Sequence, residues 1–212
     1  MILLTGFEPF GGESTNPSWG AAQRAAALLN DAGEPAAAVQ LPCVFGTSIG
    51  VLAGALEAHQ PDLVVCVGQA GGRAELSLER VAINFDDARI PDNAGNQPVD
   101  VPVRQDGPAA YFSSLALKRS LVQLTEAGLP AAVSQTAGTY VCNHVFYGLM
   151  DLLQDRSATR GGFVHVPFSS EQAMAHRAPG MLIEEMAAGL VIIARASLQH
   201  QTDLPVPAGA EH

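Results

Sequence analysis

Leu63-Val64-Val65-Cys66-Val67 is an unbroken apolar run closed by Gly68. A strand with one wet face alternates apolar and polar side chains, so a run without alternation belongs to a strand covered on both faces. Such a strand sits inside a largely parallel sheet, and a parallel sheet needs crossover helices on each side of it. The chain has to supply those helices at regular intervals.

It does so. Ile2 to Thr5 is a short β-rich run, and Asn16-Pro17-Ser18 offers an N-cap and a first-turn proline for a helix reaching about Asn30, ended by Gly33. Ala38 to Leu41 reads as a second strand. Ile49, Leu52, Ala53 and Leu56 then fall at i, i+3, i+4 and i+7, the stripe of an amphipathic helix closing near Pro61. After the central strand the period disappears: Leu76 to Asn84 and Asp86 to Val103 hold strand-like pieces and turns, expected to form an inserted hairpin and a long loop. Leu117, Leu121 and Leu124 mark the next helix, stopped by Gly128, before a strand at Ala131 to Ser134. A helix beginning near Cys142, a buried strand at Phe163 to Val166, a capped segment at Ser169-Ser170 and a last helix from Pro179-Gly180 to about Leu198 complete the series. The expected fold is α/β, a three-layer α/β/α sandwich on a mostly parallel, mixed sheet. No repeat or linker interrupts residues 1–212, read as a single domain whose tail, 201–212, frays.

Composition narrows the function. Eleven Lys plus Arg against 21 Asp plus Glu give a net charge of -10, which repels a phosphate backbone and makes nucleic acid a poor partner. No apolar stretch is long enough to span a bilayer, and the N-terminus has no basic segment ahead of a signal-peptide core, so a soluble protein without a membrane partner is expected. Cys43, Cys66 and Cys142 are odd in number, far apart and without a CxxC pair. That pattern argues against a disulfide framework or a zinc site and for a reducing cytoplasm. Gly68-x-x-Gly71-Gly72 is neither a dinucleotide nor a phosphate-loop signature. No metal or cofactor is expected.

One cysteine stands apart. Cys142 leaves the turn Ala137-Gly138-Thr139-Tyr140 at what reads as a helix N-terminus, where unpaired N–H groups and the macrodipole favour a thiolate. Ligands of open α/β sheets bind beyond the carboxyl ends of the strands, and Phe7 to Gly12, Gly68 to Arg73, the Cys142 turn and His165 all follow or end strands. A cysteine hydrolase needs a base. His144, two residues from Cys142, points to another face of the helix and reads as structural or solvent-facing. His165, inside Phe163-Val164-His165-Val166-Pro167, is the better candidate, although most histidines in apolar strands are simply satisfied core residues. His59, His176, His200 and His212 read as exposed. Glu79, bracketed by apolar residues in Ser77 to Asn84, either orients a base or pairs with Arg73, Arg80 or Arg89.

Read together, Thr5-Gly6-Phe7-Glu8-Pro9-Phe10-Gly11-Gly12, Val67 to Arg73, Glu79 to Asn84, Asp87 to Asn93, Ala137 to His144 and Gly161 to Pro167 resemble the pyroglutamyl peptidase I family in order and spacing, over most of the chain. The resemblance implies a cysteine exopeptidase that removes an N-terminal pyroglutamyl residue from peptides through a thioester, with Glu79, Cys142 and His165 as its triad. It implies a functional arginine at Arg89, and a lactam pocket built on Phe7 and Phe10 with Asn16 and Gln69 nearby. A homotetramer is implied as well. Cys43 departs from the family, which often has threonine after the proline that follows the second strand.

Without the resemblance, Phe7 and Phe10 would be taken for core anchors. Two other functions stay open on the residues alone: a thiol-dependent amidase or esterase for another small acyl group, and a binding protein that has kept the pocket without turnover.

Overall fold

The structure, a computed structural model, describes residues 1–200 and 202–209. Gln201 and residues 210–212 lie outside the described residues, and with them the expectations for His212 and for part of the tail.

The central sheet has six strands in the order β2 (Ala36–Leu41), β1 (Ile2–Phe7), β3 (Leu63–Gln69), β8 (Arg160–Val166), β4 (Leu76–Glu79) and β7 (Ala131–Ser134). The first four run parallel. β4 pairs antiparallel with β8 and parallel with β7, so these last two strands run the other way. Leu63 to Gly68 are all buried, which is the continuous apolar strand doing what its composition demands. Alternate residues of each strand serve opposite faces. Ile2, Leu4, Leu63, Val65, Val67 and Val164 pack under α1 (Pro17–Asp31), α3 (Leu117–Glu126) and α6 (Ile183–Gln199). Leu3, Val64, Cys66 and Phe163 pack under α2 (Thr47–His59) and α4 (Val141–Leu152). This is the three-layer sandwich expected.

Local chemistry explains how closely the layers sit. Asn16 caps α1 by accepting from the Ser18 N–H at 3.1 Å, with Pro17 in the first turn. Ala21, Ala22, Ala25 and Ala26 give α1 a shallow inner face. Gly6 completes the fit, because a Cβ there would lie 2.5 Å from the Ser18 carbonyl oxygen.

The middle of the chain differs in detail from its sequence reading. Leu76–Glu79 joins the main sheet, and the hairpin is instead β5 (Val81–Ile83) against β6 (Ala110–Phe112), joined through a long loop in which Asp86 bridges Val101. β6 had no recognisable period. β9 (Phe168–Ser169), α5 (Ser170–His176) and β10 (Gly180–Met181) form the segment before α6. Within the tail, 202–209 hold no helix or strand, yet Asp203 accepts from the Lys118 and Arg119 N–H groups at 2.9 Å and so serves the N-terminus of α3, which has no side-chain cap of its own. His59 and His200 are half-buried, where exposure was expected, while His176 is exposed.

Candidate active site

Cys142 is the second residue of α4, after an extended Tyr140 that begins the helix without a side-chain cap. The strand-end rule does not explain its place, because β7 runs opposite to β1, β3 and β8. A crossing segment, residues 135–140, brings the chain back. It turns at Gly138, whose φ of 79° suits glycine, and is tied to the long loop where Asp87 donates its N–H to the Thr139 carbonyl at 2.9 Å and Thr139 Oγ1 returns a bond to the Asp87 carbonyl at 2.8 Å.

Two buried side chains next to Cys142 fix the helix start. Asn143 accepts from the Ile83 N–H at 3.0 Å and donates to the carbonyls of Ile83 and Phe85. His144 meets Asp86 Oδ2 through Nδ1 at 2.7 Å, and its Nε2 accepts from the Gly46 N–H at 2.8 Å. His144 is therefore structural and buried; the solvent-facing alternative is wrong, because an imidazole with both nitrogens engaged is the tie between α4, α2 and the long loop. Gly68 allows α4 to approach the end of β3, since a Cβ there would meet Cys142 Sγ at 2.8 Å.

His165 and Glu79 come from neighbouring antiparallel strands, and both are buried. His165 Nδ1 lies 2.8 Å from Glu79 Oε1, which also accepts from Arg73 Nη1 at 2.7 Å. A carboxylate oxygen only accepts, so Nδ1 carries a proton and in the neutral ring Nε2 is the nitrogen with the lone pair; among the described residues Nε2 has no hydrogen-bond partner. The alternatives for Glu79 are thus both realised: it orients His165 and pairs with Arg73. Its Oε2 is buried without a partner among the described residues.

Cys142, His165, Phe10, Gln69 and Arg89 line one cavity of about 280 Å³. Tyr140 lines it too, its ring 6.1 Å from that of Phe10 and its hydroxyl donating to the Pro91 carbonyl. Arg89 is exposed, and its guanidinium makes no hydrogen bond to a described residue. Two of the residues named from the sequence lie elsewhere. Phe7 is buried in the core, 6.4 Å from Phe163 between ring centres, and is not among the cavity's lining residues. Asn16 caps α1, holds the first loop by donating to the Glu8 carbonyl, and borders a separate cavity of about 480 Å³.

Electrostatics modify the reading of the thiol. The helix N-terminus favours a thiolate, but dense protein around the sulfur, then Cys43 and Glu79, push the Cys142 thiol well up, and Arg73 only partly offsets them. Cys43 and Cys66 are buried, and burial pushes each up to about 12, as expected of inert sulfurs.

Several site residues were not legible beforehand. Arg73 is one of three arginines the sequence offers Glu79, and nothing in the pattern around Cys142 singles out Tyr140 or Asn143. Asp92 accepts from the N–H groups of Phe45, Ala94 and Asn96, and Asn93 donates to Glu8 Oε1 and the Pro9 carbonyl. The Asn93 bonds tie the Arg89 loop to the first loop, and the Asp92 bonds close its own turn and tie it to Phe45. Asp and Asn beside prolines and glycines were the available signal, but they mark a turn without naming its partners.

Fold and cavity define a class: an α/β protein with cysteine, histidine and carboxylate gathered in one place, the residue set of a thiol hydrolase. The comparisons with known proteins agree. A family model described as pyroglutamyl peptidase matches residues 1–200. The pyrrolidone-carboxylate peptidase of Erwinia tasmaniensis is 53% identical over 212 residues, covering 100% of this chain and 99% of its own, and that of Klebsiella pneumoniae is 51% identical with the same coverage. Among solved structures, pyroglutamyl peptidase I of Bacillus amyloliquefaciens superposes with a TM-score of 0.91 at 49% identity, covering 96% of this chain and 98% of its own. A mutant pyrrolidone carboxyl peptidase from P. furiosus gives 0.87 at 36%, covering 95% and 99%. The chain belongs to the pyroglutamyl peptidase family of cysteine peptidases.

Proposed function

We propose that the protein hydrolyses the amide bond after an N-terminal pyroglutamyl residue of peptides, with Cys142 as nucleophile, His165 as base and Glu79 as its orienter. One observation carries the reading: Cys142 and His165 share a cavity walled by Phe10, Gln69 and Arg89, while Glu79 holds His165 from behind.

The cavity suits the substrate's acyl part. Pyroglutamate is a small uncharged lactam, so an aromatic face and a few hydrogen bonds can hold it where an ionic anchor cannot. Phe10 and Gln69 supply these directly. Asn16 steadies the loop that carries Phe10.

Surroundings that push the Cys142 thiol up disfavour a free thiolate, so the thiol is activated as it reacts. His165 Nε2 takes the Sγ proton while sulfur attacks the pyroglutamyl carbonyl, and the resulting imidazolium is balanced by Glu79. The oxyanion is received by the Cys142 backbone N–H in the first turn of α4, with Arg89 at the rim; one such donor is typically worth about 3 kcal/mol of barrier. The C–N bond breaks, His165 returns the proton to the leaving amine, and a thioester remains. Water, deprotonated by His165, then attacks the thioester, releasing pyroglutamate and restoring the thiol.

The test is hydrolysis of a pyroglutamyl amide with a reporter leaving group, beside free glutamyl and prolyl amides, with and without a thiol alkylator. The reading requires turnover of the pyroglutamyl amide alone and its loss on alkylation. Turnover of another small acyl amide in its place would make the protein a different thiol amidase. We further read the chain as one peptidase domain acting in the cytoplasm, in keeping with three free cysteines. A homotetramer, which rests on family likeness, is tested by sedimentation of the purified protein.

A further inference from the structure

Gln69 lines the cavity, and its side-chain amide can turn either of two chemically opposite ends toward a ligand. Which end it turns is decided by groups that cannot reverse their own polarity. The chain of bonds begins at Ser169, whose backbone N–H can only donate; it donates to Gln172 Oε1 at 3.3 Å. Gln172 therefore points its Nε2 the other way. There it meets Glu13 Oε2 at 3.1 Å and the Thr15 carbonyl at 3.3 Å, two groups that can only accept. Glu13 is in turn engaged by His176 at 2.7 Å. Gln172 is buried and its orientation is fixed at both ends.

The third neighbour of Gln172 Nε2 is Gln69 Oε1, at 3.3 Å, so the two amide hydrogens are shared among three acceptors. A donor facing it holds the Gln69 oxygen away from the cavity. Gln69 Nε2 is left without a partner among the described residues. We propose that Gln172 is a positioning residue that fixes the Gln69 amide so that the acyl cavity presents a hydrogen-bond donor, selecting a ring that carries an oxo group over the otherwise similar prolyl ring. The inference rests on the pyroglutamyl reading and deepens it. The lactam carbonyl accepts from Gln69 Nε2; a prolyl ring offers a methylene at the same place and leaves that donor unmatched.

The test uses the full-length protein and a pyroglutamyl reporter amide. Gln172→Met removes the donor and frees Gln69 to rotate. KM should rise roughly tenfold, the loss of one neutral hydrogen bond, while kcat stays within about twofold, because the contact is made equally in ground and transition states. The deciding comparison is Gln172→Met in a Gln69→Met background, where KM should change by less than about twofold, since the effect acts through Gln69. An unchanged KM in the folded Gln172→Met variant, or the same tenfold factor in the Gln69→Met background, overturns the inference. Failure of the wild-type protein to cleave the pyroglutamyl amide would instead overturn the reading on which it stands.

Discussion

Replacing Gly68 by alanine should disable the enzyme although Cys142, His165 and Glu79 all remain in the chain. The added Cβ would stand 2.8 Å from Cys142 Sγ, 2.8 Å from Phe163 Cζ and 3.0 Å from Phe163 Cε1. Ordinary contact between carbon atoms is about 3.5–4.0 Å, and sulfur is larger, so the thiol or the Phe163 ring has to retreat by about 1 Å. The ring has little room, because Phe163 is fully buried with Phe7 at 6.4 Å and Phe146 at 5.8 Å between ring centres. The thiol stands in the open wall of the cavity and gives way more readily. A displacement of 1 Å at a reacting atom costs roughly 100-fold in rate, while overpacking of this kind costs about 1–3 kcal/mol in stability. The assay is kcat/KM on a pyroglutamyl reporter amide beside the thermal midpoint. A folded Gly68→Ala protein within a few-fold of wild-type kcat/KM would refute the claim that β3 positions the nucleophile.

Further expectations follow from the same contacts. Glu79→Gln should lower kcat far more than it raises KM, since Glu79 touches His165 and not the cavity, and an unchanged kcat would reassign Glu79 to the Arg73 pair alone. The two aromatics of the first loop should separate: Phe7→Ala costs about 3–5 kcal/mol of stability, whereas Phe10→Ala mainly raises KM, and the reverse pattern would exchange their roles. Buried thiols pushed up to about 12 stay protonated in the folded chain while the unfolded chain ionises near pH 8.5. Their stabilisation is therefore complete below about pH 8.5 and is lost on going higher, at about 1.4 kcal/mol per pH unit for each thiol. Cys66→Ala should show a shallower fall of stability between pH 9 and 10 than wild type, and equal slopes would contradict this.

The parts of the fold legible in the sequence are those governed by local period. Leu63 to Val67 reads as a doubly covered strand, and the Leu117, Leu121, Leu124 stripe as a helix, and both formed. Strand direction was not legible. Nothing in Ala131 to Ser134 says that β7 runs against β8, because direction is set by how the long middle segment returns to the sheet. β6 escaped because three residues carry no period. The site divides in the same way. Cys142, His165 and Glu79 each stand out where residue type conflicts with surroundings: a thiol at a helix start, and polar groups in apolar strands. Arg73, Asn143 and the Gln172 contacts are ordinary residues whose importance lies in partners far along the chain. The upward push on the Cys142 thiol was invisible for a related reason, since it comes from packing, and it opposes the helix N-terminus.

The central claim is that Cys142 carries the acyl group. The most direct measurement is mass spectrometry of the protein quenched in acid during turnover of a pyroglutamyl amide, followed by peptide mapping. The account requires one pyroglutamyl group per chain, on the peptide containing Cys142, and its absence from Cys142→Ala. Turnover by wild type with Cys142 unmodified throughout, or an adduct on Cys43 or Cys66 instead, would contradict it.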